Sequence, residues 1–406
     1  MSVLSYLEKL LDGVDVEWLS LGSIAVIKTG QSVNKKMISD NSGKYPVINS
    51  GRAPLGFIDT WNTDDDPIGI TTRGAGVGSI TWQDGRYFRG NLNYSVTIKK
   101  DCSIKVRYMY HLLLQMQKDI QELCTFDGIP ALNASNLKRL QIPIPCPDTP
   151  EKSLAIQSEI VRILDKFTAL TAELTAELTM RKKQYNYYRD QLLSFEEGDV
   201  EWKTLGDVTK KWYSGGTPTA GNPEYYDGGD IPWLRTQEVK FSDVCETEVK
   251  ITAAALKKTS AKWIPENCVI VAISGATAGR SAINKIALTT NQHCGCLEID
   301  SKKALYRYVF HWVSFNYENI KALGQGARGD LNSTIIKNFK LPVPYADDPE
   351  KSLEEQARIV RILDKFDTLT NSITEGLPRE IELRQKQYEY YRDLLFSFPK
   401  PDSVTN

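Results

Sequence analysis

Histidine is scarce in this sequence, with only His111, His293 and His311 among 406 residues. Two of them, His111 and His311, fall on apolar helical faces and read as packed side chains, which leaves little for a histidine-based acid–base site. The seven cysteines are odd in number and follow no framework spacing, which excludes a disulfide scaffold and reads as reduced thiols. Their one cluster, His293-Cys294-Gly295-Cys296, lacks the second pair that a four-ligand zinc site takes, so buried thiols and no metal are expected. No run approaches the roughly 18 uncharged apolar residues of a membrane span. Residues 1–9 lack the apolar core and small-residue cleavage site of a signal peptide, so a cytoplasmic location without membrane contact is expected. Net charge is nearly absent too, at −1, which argues against a generic polyanion binder.

Enzyme signatures are missing as well. Gly74-Ala75-Gly76-Val77-Gly78 is no phosphate loop, because no Gly-Lys-Ser/Thr follows. It also lacks the βαβ context and the distant acid of a dinucleotide fingerprint. Tight turns are expected there and at Gly275-x-x-x-Gly279. Asn222-Pro223-Glu224-Tyr225 departs at Glu224 from the Asn-Pro-Pro-aromatic motif of amino-methyltransferases, and no S-adenosylmethionine motif accompanies it. Pro147-Asp148 with Glu151-Lys152 is too compressed for a PD…ExK nuclease. Arg328-Gly329-Asp330 matches an adhesion tripeptide only by coincidence.

What is present is a repeat. Pro150-Glu151-Lys152-Ser153-Leu154 returns as Pro349-Glu350-Lys351-Ser352-Leu353, and Ile160-Val161-Arg162-Ile163-Leu164-Asp165-Lys166-Phe167 returns at 359–366. Gln184-Tyr185-Asn186-Tyr187-Tyr188-Arg189-Asp190 has its match at 387–393, and Asp15-Val16-Glu17-Trp18 its match at 199–202. Between these islands, residues 23–140 and 207–340 share little beyond the two glycine signatures. Uniform drift after duplication would blur both parts evenly. The contrast therefore points to islands that meet a constant partner and intervening segments that meet different ligands. Residues 6–11 also resemble 188–193, the end of the first island. The repeat is thus circular, which implies pseudo-two-fold symmetry and neighbouring termini.

Each island reads as a long helix. Over 151–195 the apolar stripe is Ile160, Leu164, Phe167, Leu170, Leu174 and Leu178, with Ser153 as a candidate cap. Over 350–397 it is Ile359, Leu363, Phe366, Leu369 and Ile373, with a break expected at Gly376 and Pro378 and resumption at Arg379. Such stripes suit the seam of an antiparallel coiled coil; packing on neighbouring domains is the alternative. About 45 helical residues span about 68 Å, enough to hold two domains a DNA turn or more apart. Thr171-Ala172-Glu173-Leu174 is followed at once by Thr175-Ala176-Glu177-Leu178; one such unit adds about 6 Å, nearly two base-pair steps, and rotates the helix beyond it by roughly 40°. Tyr185, Tyr187 and Tyr188, with their counterparts Tyr388, Tyr390 and Tyr391, form either a partner surface or helix–domain packing.

The divergent segments mix short β-like runs with one helical stretch each, near 108–114 and 308–313, and read as two α+β domains. Residues 20–145 carry 15 Lys/Arg against 10 Asp/Glu, and 203–345 carry 18 against 13, whereas 151–201 carry 7 against 10. Two mildly basic segments thus flank an acidic spacer, as two anionic-ligand surfaces require. Candidate base and phosphate contacts are Lys35, Lys36, Arg52, Arg73, Arg86, Arg89, Asn91 and Asn93 in the first segment. In the second they are Lys210, Lys211, Arg235, Arg280, Asn291, Gln292 and Arg328.

The variable–constant–variable–constant order with a circular repeat resembles the specificity subunit of type I restriction-modification enzymes. The islands, including the tandem Thr-Ala-Glu-Leu unit, resemble the type IC subfamily. The resemblance implies an α+β chain with two target-recognition domains, 20–148 and 199–346, joined by two long antiparallel coiled-coil helices, 149–198 and 347–398. Residues 1–19 complete the repeat and 399–406 form a tail. It implies a non-catalytic subunit with no cofactor of its own. Each domain then reads half of a bipartite double-stranded DNA site, and the helices dock two modification (methyltransferase) subunits. Restriction (ATP-dependent translocase/nuclease) subunits join through that complex, which uses S-adenosylmethionine, ATP and Mg. The rival classes are a self-sufficient methyltransferase or nuclease, and a coiled-coil interaction protein without a DNA role.

Overall fold

A computed structural model describes residues 10, 13–51, 53–196, 198–326, 329–372 and 374–399. Arg52, Arg328, Ile373, most of 6–11 and the tail beyond 399 lie outside the described residues. Among the described residues, five helices run ten residues or longer: α1 (Val106–Gln115), α2 (Pro150–Leu192), α3 (Tyr306–Phe315), α4 (Pro349–Asn371) and α5 (Gly376–Leu395). The chain forms two compact units, Met1–Thr175 with Glu380–Asn406, and Ala176–Arg379. The boundary falls inside the tandem Thr-Ala-Glu-Leu unit. No helix among the described residues is long and apolar enough to cross a membrane.

Each unit is α+β and each builds the same three sheets. In unit 1, Val16–Ser20 pairs antiparallel with Gln141–Pro145. A four-stranded antiparallel sheet runs in the order Ala25–Thr29, Asn93–Ile98, Ile68–Thr71, Ile80–Trp82. A three-stranded sheet sets Ser42–Ile48 between antiparallel Phe57–Ile58 and parallel Phe88–Arg89. In unit 2, Val200–Thr204 pairs with Lys340–Pro344, and Thr209–Ser214, Cys294–Ile299, Val269–Ala272 and Ser281–Asn284 repeat the second sheet, extended by Asp243–Val244. Ile231–Leu234 lies between antiparallel Val249–Ile251 and parallel Thr289–Thr290. The segments that diverge in sequence therefore share one architecture.

The islands differ from expectation in detail. Ser153 does not cap α2. The helix starts at Pro150, whose fixed φ suits a first helical position, and Ser153 N donates to Thr149 O at 3.0 Å inside the first turn. The second island is two helices. α4 stops at Asn371, and Gly376 opens α5 with φ +77°, where a Cβ would sit 2.3 Å from Thr368 O. The break thus precedes Gly376, and Pro378 lies in the first turn of α5, where its missing N–H costs nothing.

The stripes are buried in stages. Ile160 and Leu164 join the core of unit 1 with Tyr108, Leu112 and Ile142, and Ile359 and Leu363 join that of unit 2 with Tyr308, Val313 and Leu341. Farther along, each stripe meets the aromatic end of an island. Phe167 stacks on Tyr391 with centroids 5.2 Å apart in unit 1, and Phe366 stacks on Tyr188 at 5.5 Å in unit 2. Leu174, Leu178 and Leu369 are half-buried, while Leu170 is exposed. Closure of the repeat is visible within unit 1, where Leu395, Phe396 and Phe398 enter the core and Trp18 Nε1 donates to Pro399 O at 3.0 Å.

Candidate nucleic-acid interface

Each unit fastens its divergent domain to an island helix by the same set of bonds. In unit 1 Arg107 and His111, one turn apart on α1, converge on Asp165 of α2, with Nε and Nε2 each 2.8 Å from Oδ1. In unit 2 Arg307 and His311 on α3 converge on Asp364 of α4, at 3.1 and 2.6 Å. A carboxylate only accepts, so the His111 proton sits on Nε2, and Nδ1 is left to accept from Tyr388 O–H at 2.9 Å. Burial pushes the His111 imidazolium below its ordinary value, against the pull of Asp165. Burial alone would raise Asp364, but bonds from His311 and Arg307 outweigh it and hold that carboxyl below the usual range. Buried Gln157 and Gln356 accept from Lys105 N and Leu305 N at 2.8 and 2.9 Å, and Tyr108 and Tyr308 donate to Pro143 O and Pro342 O. Sequence reasoning missed these clasps. Their signal was Arg-x-x-x-His at both 107–111 and 307–311, with aspartate inside the copied octapeptide.

On this common frame the surface side chains differ. Gly74 and Gly78, like Gly275 and Gly279, take positive φ and close the hairpin after the central strand. Gly78 N donates to Thr71 O at 2.9 Å and Gly279 N to Ala272 O at 2.8 Å, so both signatures are turns. Arg73 is exposed before the first turn, whereas its counterpart Ser274 donates to or accepts from His293 Nδ1 at 2.7 Å. Ser79 follows the first turn and half-buried Arg280 the second.

The other candidates scatter over several surfaces. Lys35 and Lys36 are exposed on the short Lys35–Asp40 helix, capped by Asn34, which accepts from Met37 N at 2.8 Å. Exposed Arg86 pairs with Asp64 at 3.0 Å over the Trp61 ring, and Asn91 is exposed. Exposed Lys210 pairs with Glu298 at 2.6 Å, and Lys211 lies over Tyr213. Arg235 pairs with Glu248 at 2.6 Å beside an open cleft of about 410 Å³ shared with Asn222, Tyr226 and Trp233. Exposed Gln292 accepts from Thr217 at 2.5 Å.

Three candidates face inward and need correcting. Arg89 is 3% exposed and donates to Ile68 O, Tyr94 O, Asp66 O, Asn93 Oδ1 and the Tyr87 hydroxyl, so its guanidinium ties the three-stranded sheet to the four-stranded one. Asn93 and Asn291 are buried too: Asn93 Oδ1 accepts from Arg89 at 2.6 Å in unit 1, and Asn291 Oδ1 accepts from His293 N at 3.1 Å in unit 2. The other motifs are structural as well. Asn222 caps the Pro223–Tyr226 turn, accepting from Glu224 N at 3.1 Å. His293 is exposed while Cys294 and Cys296 point into the core, where burial pushes the Cys294 thiol up to about 12. Of the tyrosines, Tyr185, Tyr188, Tyr388 and Tyr391 pack against phenylalanine or histidine rings, while Tyr187 and Tyr390 stand 62% and 56% exposed.

Comparison with known proteins places this geometry. The profile of the family described as "Type I restriction modification DNA specificity domain" matches residues 13–180 and 197–383. The chain is 45% identical over 424 residues to the type I restriction enzyme EcoR124I/EcoR124II specificity subunit of Escherichia coli, with all of both chains covered. It is 33% identical to the Escherichia coli EcoprrI specificity subunit, covering 92% of this chain and 93% of the other. Among solved structures it is similar to the type I restriction-modification S subunit from M. genitalium, with TM-score 0.66, 18% identity, and 96% and 98% of the two chains covered. That last likeness concerns the fold.

Proposed function

The chain belongs to the family of type I restriction-modification DNA specificity subunits, and on that premise we propose how it divides the work of reading DNA. It recognises sequence and carries no catalytic role. Residues 20–148 and 199–346 each read one half of a bipartite double-stranded site, and the island helices α2, α4 and α5 set the gap. The observation that carries this reading is one frame built twice with different side chains on equivalent turns, as at Arg73 and Ser274 or Ser79 and Arg280. Two identical frames bind DNA in the same way, and differing tips read different text.

The contact set on this reading is Lys35, Lys36, Arg73, Arg86 and Asn91 in the first domain, and Lys210, Lys211, Arg235, Arg280 and Gln292 in the second. Several of these are now paired with acids. Exposed ion pairs are worth about 0–1 kcal/mol, so phosphate can displace the acid at small cost. The exposed Tyr187 and Tyr390 occupy equivalent places in the two islands, which suits two copies of one modification subunit. S-adenosylmethionine, ATP and Mg serve the modification and restriction subunits of a cytoplasmic complex. Methylome sequencing of a host expressing this chain with its modification subunit tests the reading. Methylated adenines should define two half-sites at a constant gap, and exchanging residues 20–148 for those of a relative should change one half-site only. Methylation at a single undivided site would refute it.

A further inference from the structure

Two large apolar side chains stand out together on unit 1. Phe126 is 62% exposed and Ile129 68%. Both occupy the tip of the hairpin formed by Cys124–Thr125 and Ala131–Leu132, where Gly128 turns the chain at φ +89°. The stem is tied to the 74–78 turn. Leu132 N donates to Thr72 O at 2.8 Å, Gly74 N donates to Pro130 O at 2.9 Å, and Arg73 bridges to Ala131. Arg73 is exposed, and its side chain has no hydrogen-bond or ion-pair partner among the described residues.

Unit 2 builds the same stem. Leu331 N donates to Ile273 O at 2.7 Å and Gln325 bridges to Asp330. Asn133 and Asn332 then cap the next helix in each unit. The tips differ: that of unit 2 carries Gly326 and Gly329 and no aromatic residue. The frame is held while the tip is exchanged, as expected where different text is met.

A two-residue apolar tip is far smaller than the roughly 800 Å² per partner of a standard protein interface. It does match the apolar wedges with which proteins enter and unstack a base step. An unpaired arginine beside it supplies the phosphate contact that positions such a wedge. Resting on the DNA-reading assignment above, we propose that the 124–132 hairpin inserts its tip into the base stack of a half-site. Phe126 and Ile129 lie against bases and Arg73 on the adjoining phosphate.

The test uses the full chain complexed with its modification subunits, and duplexes of the methylome-defined site carrying 2-aminopurine at each adenine except the methylated one. The wild-type complex is expected to raise fluorescence several-fold at one or two adjacent positions. The double variant Phe126→Ala, Ile129→Ala is expected to lose that rise and bind on the order of tenfold more weakly, with Phe126→Trp preserving it. Arg73→Ala should keep the rise and reduce the salt dependence by about one phosphate contact. Flat fluorescence at every position, in a wild-type complex that still binds selectively, overturns the wedge and leaves the DNA-reading assignment standing. A double variant that no longer assembles with its modification subunits overturns it as well and makes the tip a protein contact. A wild-type complex without any sequence-selective binding overturns the assignment itself.

Discussion

Asp165 and Asp364 each gather an arginine and a histidine from a neighbouring helix, and the weight of these clasps lies in what their loss would leave behind. Asp165→Ala strands the buried His111 Nε2 proton and the Arg107 guanidinium without their acceptor. The expected cost is about 1–3 kcal/mol, read as a lower thermal midpoint. The clasp also carries a pH signature. The His111 value is depressed in the folded state, so the unfolded chain takes up the proton first. Its contribution is complete above the unfolded value of about 6.5 and is lost as pH falls below it. Asp364, also depressed, contributes above the ordinary aspartate value and loses that contribution only in stronger acid. Between pH 7 and 5 the wild-type midpoint should therefore fall, and fall less in His111→Gln; equal slopes would remove His111 from the account. Arg89→Ala tests burial in the same way. It leaves five acceptors without their donor, so it should destabilise by about 3 kcal/mol or more while a change at exposed Lys35 does not. These residues also mark how far the sequence was legible. Arg89 and Arg73 are both arginines beside glycine in β-rich segments, and nothing local separates a core donor from a surface cation. That distinction comes from pairings across distant strands, which no local pattern records.

At the scale of elements, periodicity was more informative. Ile160, Leu164, Ile359 and Leu363 are all buried, and the break comes just ahead of Gly376, where only glycine fits against Thr368 O. The three sheets were not legible, since strands of two to seven residues pair over long separations and leave little alternation to read. The tandem Thr-Ala-Glu-Leu unit is continuous helix, with Thr175 Oγ1 donating to Thr171 O at 2.7 Å. Its residues are exposed or half-buried and lie outside both cores, so removing 175–178 shortens α2 without opening a cavity. The deletion withdraws about 6 Å of helix, and only the component of that length along the DNA axis reaches the gap. The methylated half-sites should move closer by about one to two base pairs of 3.4 Å, with both half-site sequences unchanged. An unchanged gap in the methylome would end the helix's role as a ruler.

At the scale of the whole molecule, the two units solve one folding problem with different chain connections. In unit 2 the island end at Leu193 and Phe195 packs against the core and runs directly through Gly198 into the strand Val200–Thr204. In unit 1 the equivalent packing is made by Leu395, Phe396 and Phe398, and the equivalent strand Val16–Ser20 is approached from the other end of the chain. Unit 1 thus folds with a chain gap where unit 2 has a covalent link, and the two arrangements should be interchangeable. Trp18 Nε1 lies 3.0 Å from Pro399 O. Gly13 is five residues from Trp18, a reach of at most about 17 Å, so a linker of about eight Gly and Ser residues joins Pro399 to Gly13 without strain. A permutant closed there and opened after Glu196 moves the gap from unit 1 to unit 2 and, of the side chains packed on the two cores, removes only Leu10. It should assemble with the modification subunits, melt within a few degrees of the parent and methylate the same bipartite site at the same gap. A permutant that folds but methylates a different site or gap would show that the link through Gly198 is more than a connection. One that does not fold, while the same linker inserted after Glu196 in the parent chain is tolerated, would refute the equivalence of the two units.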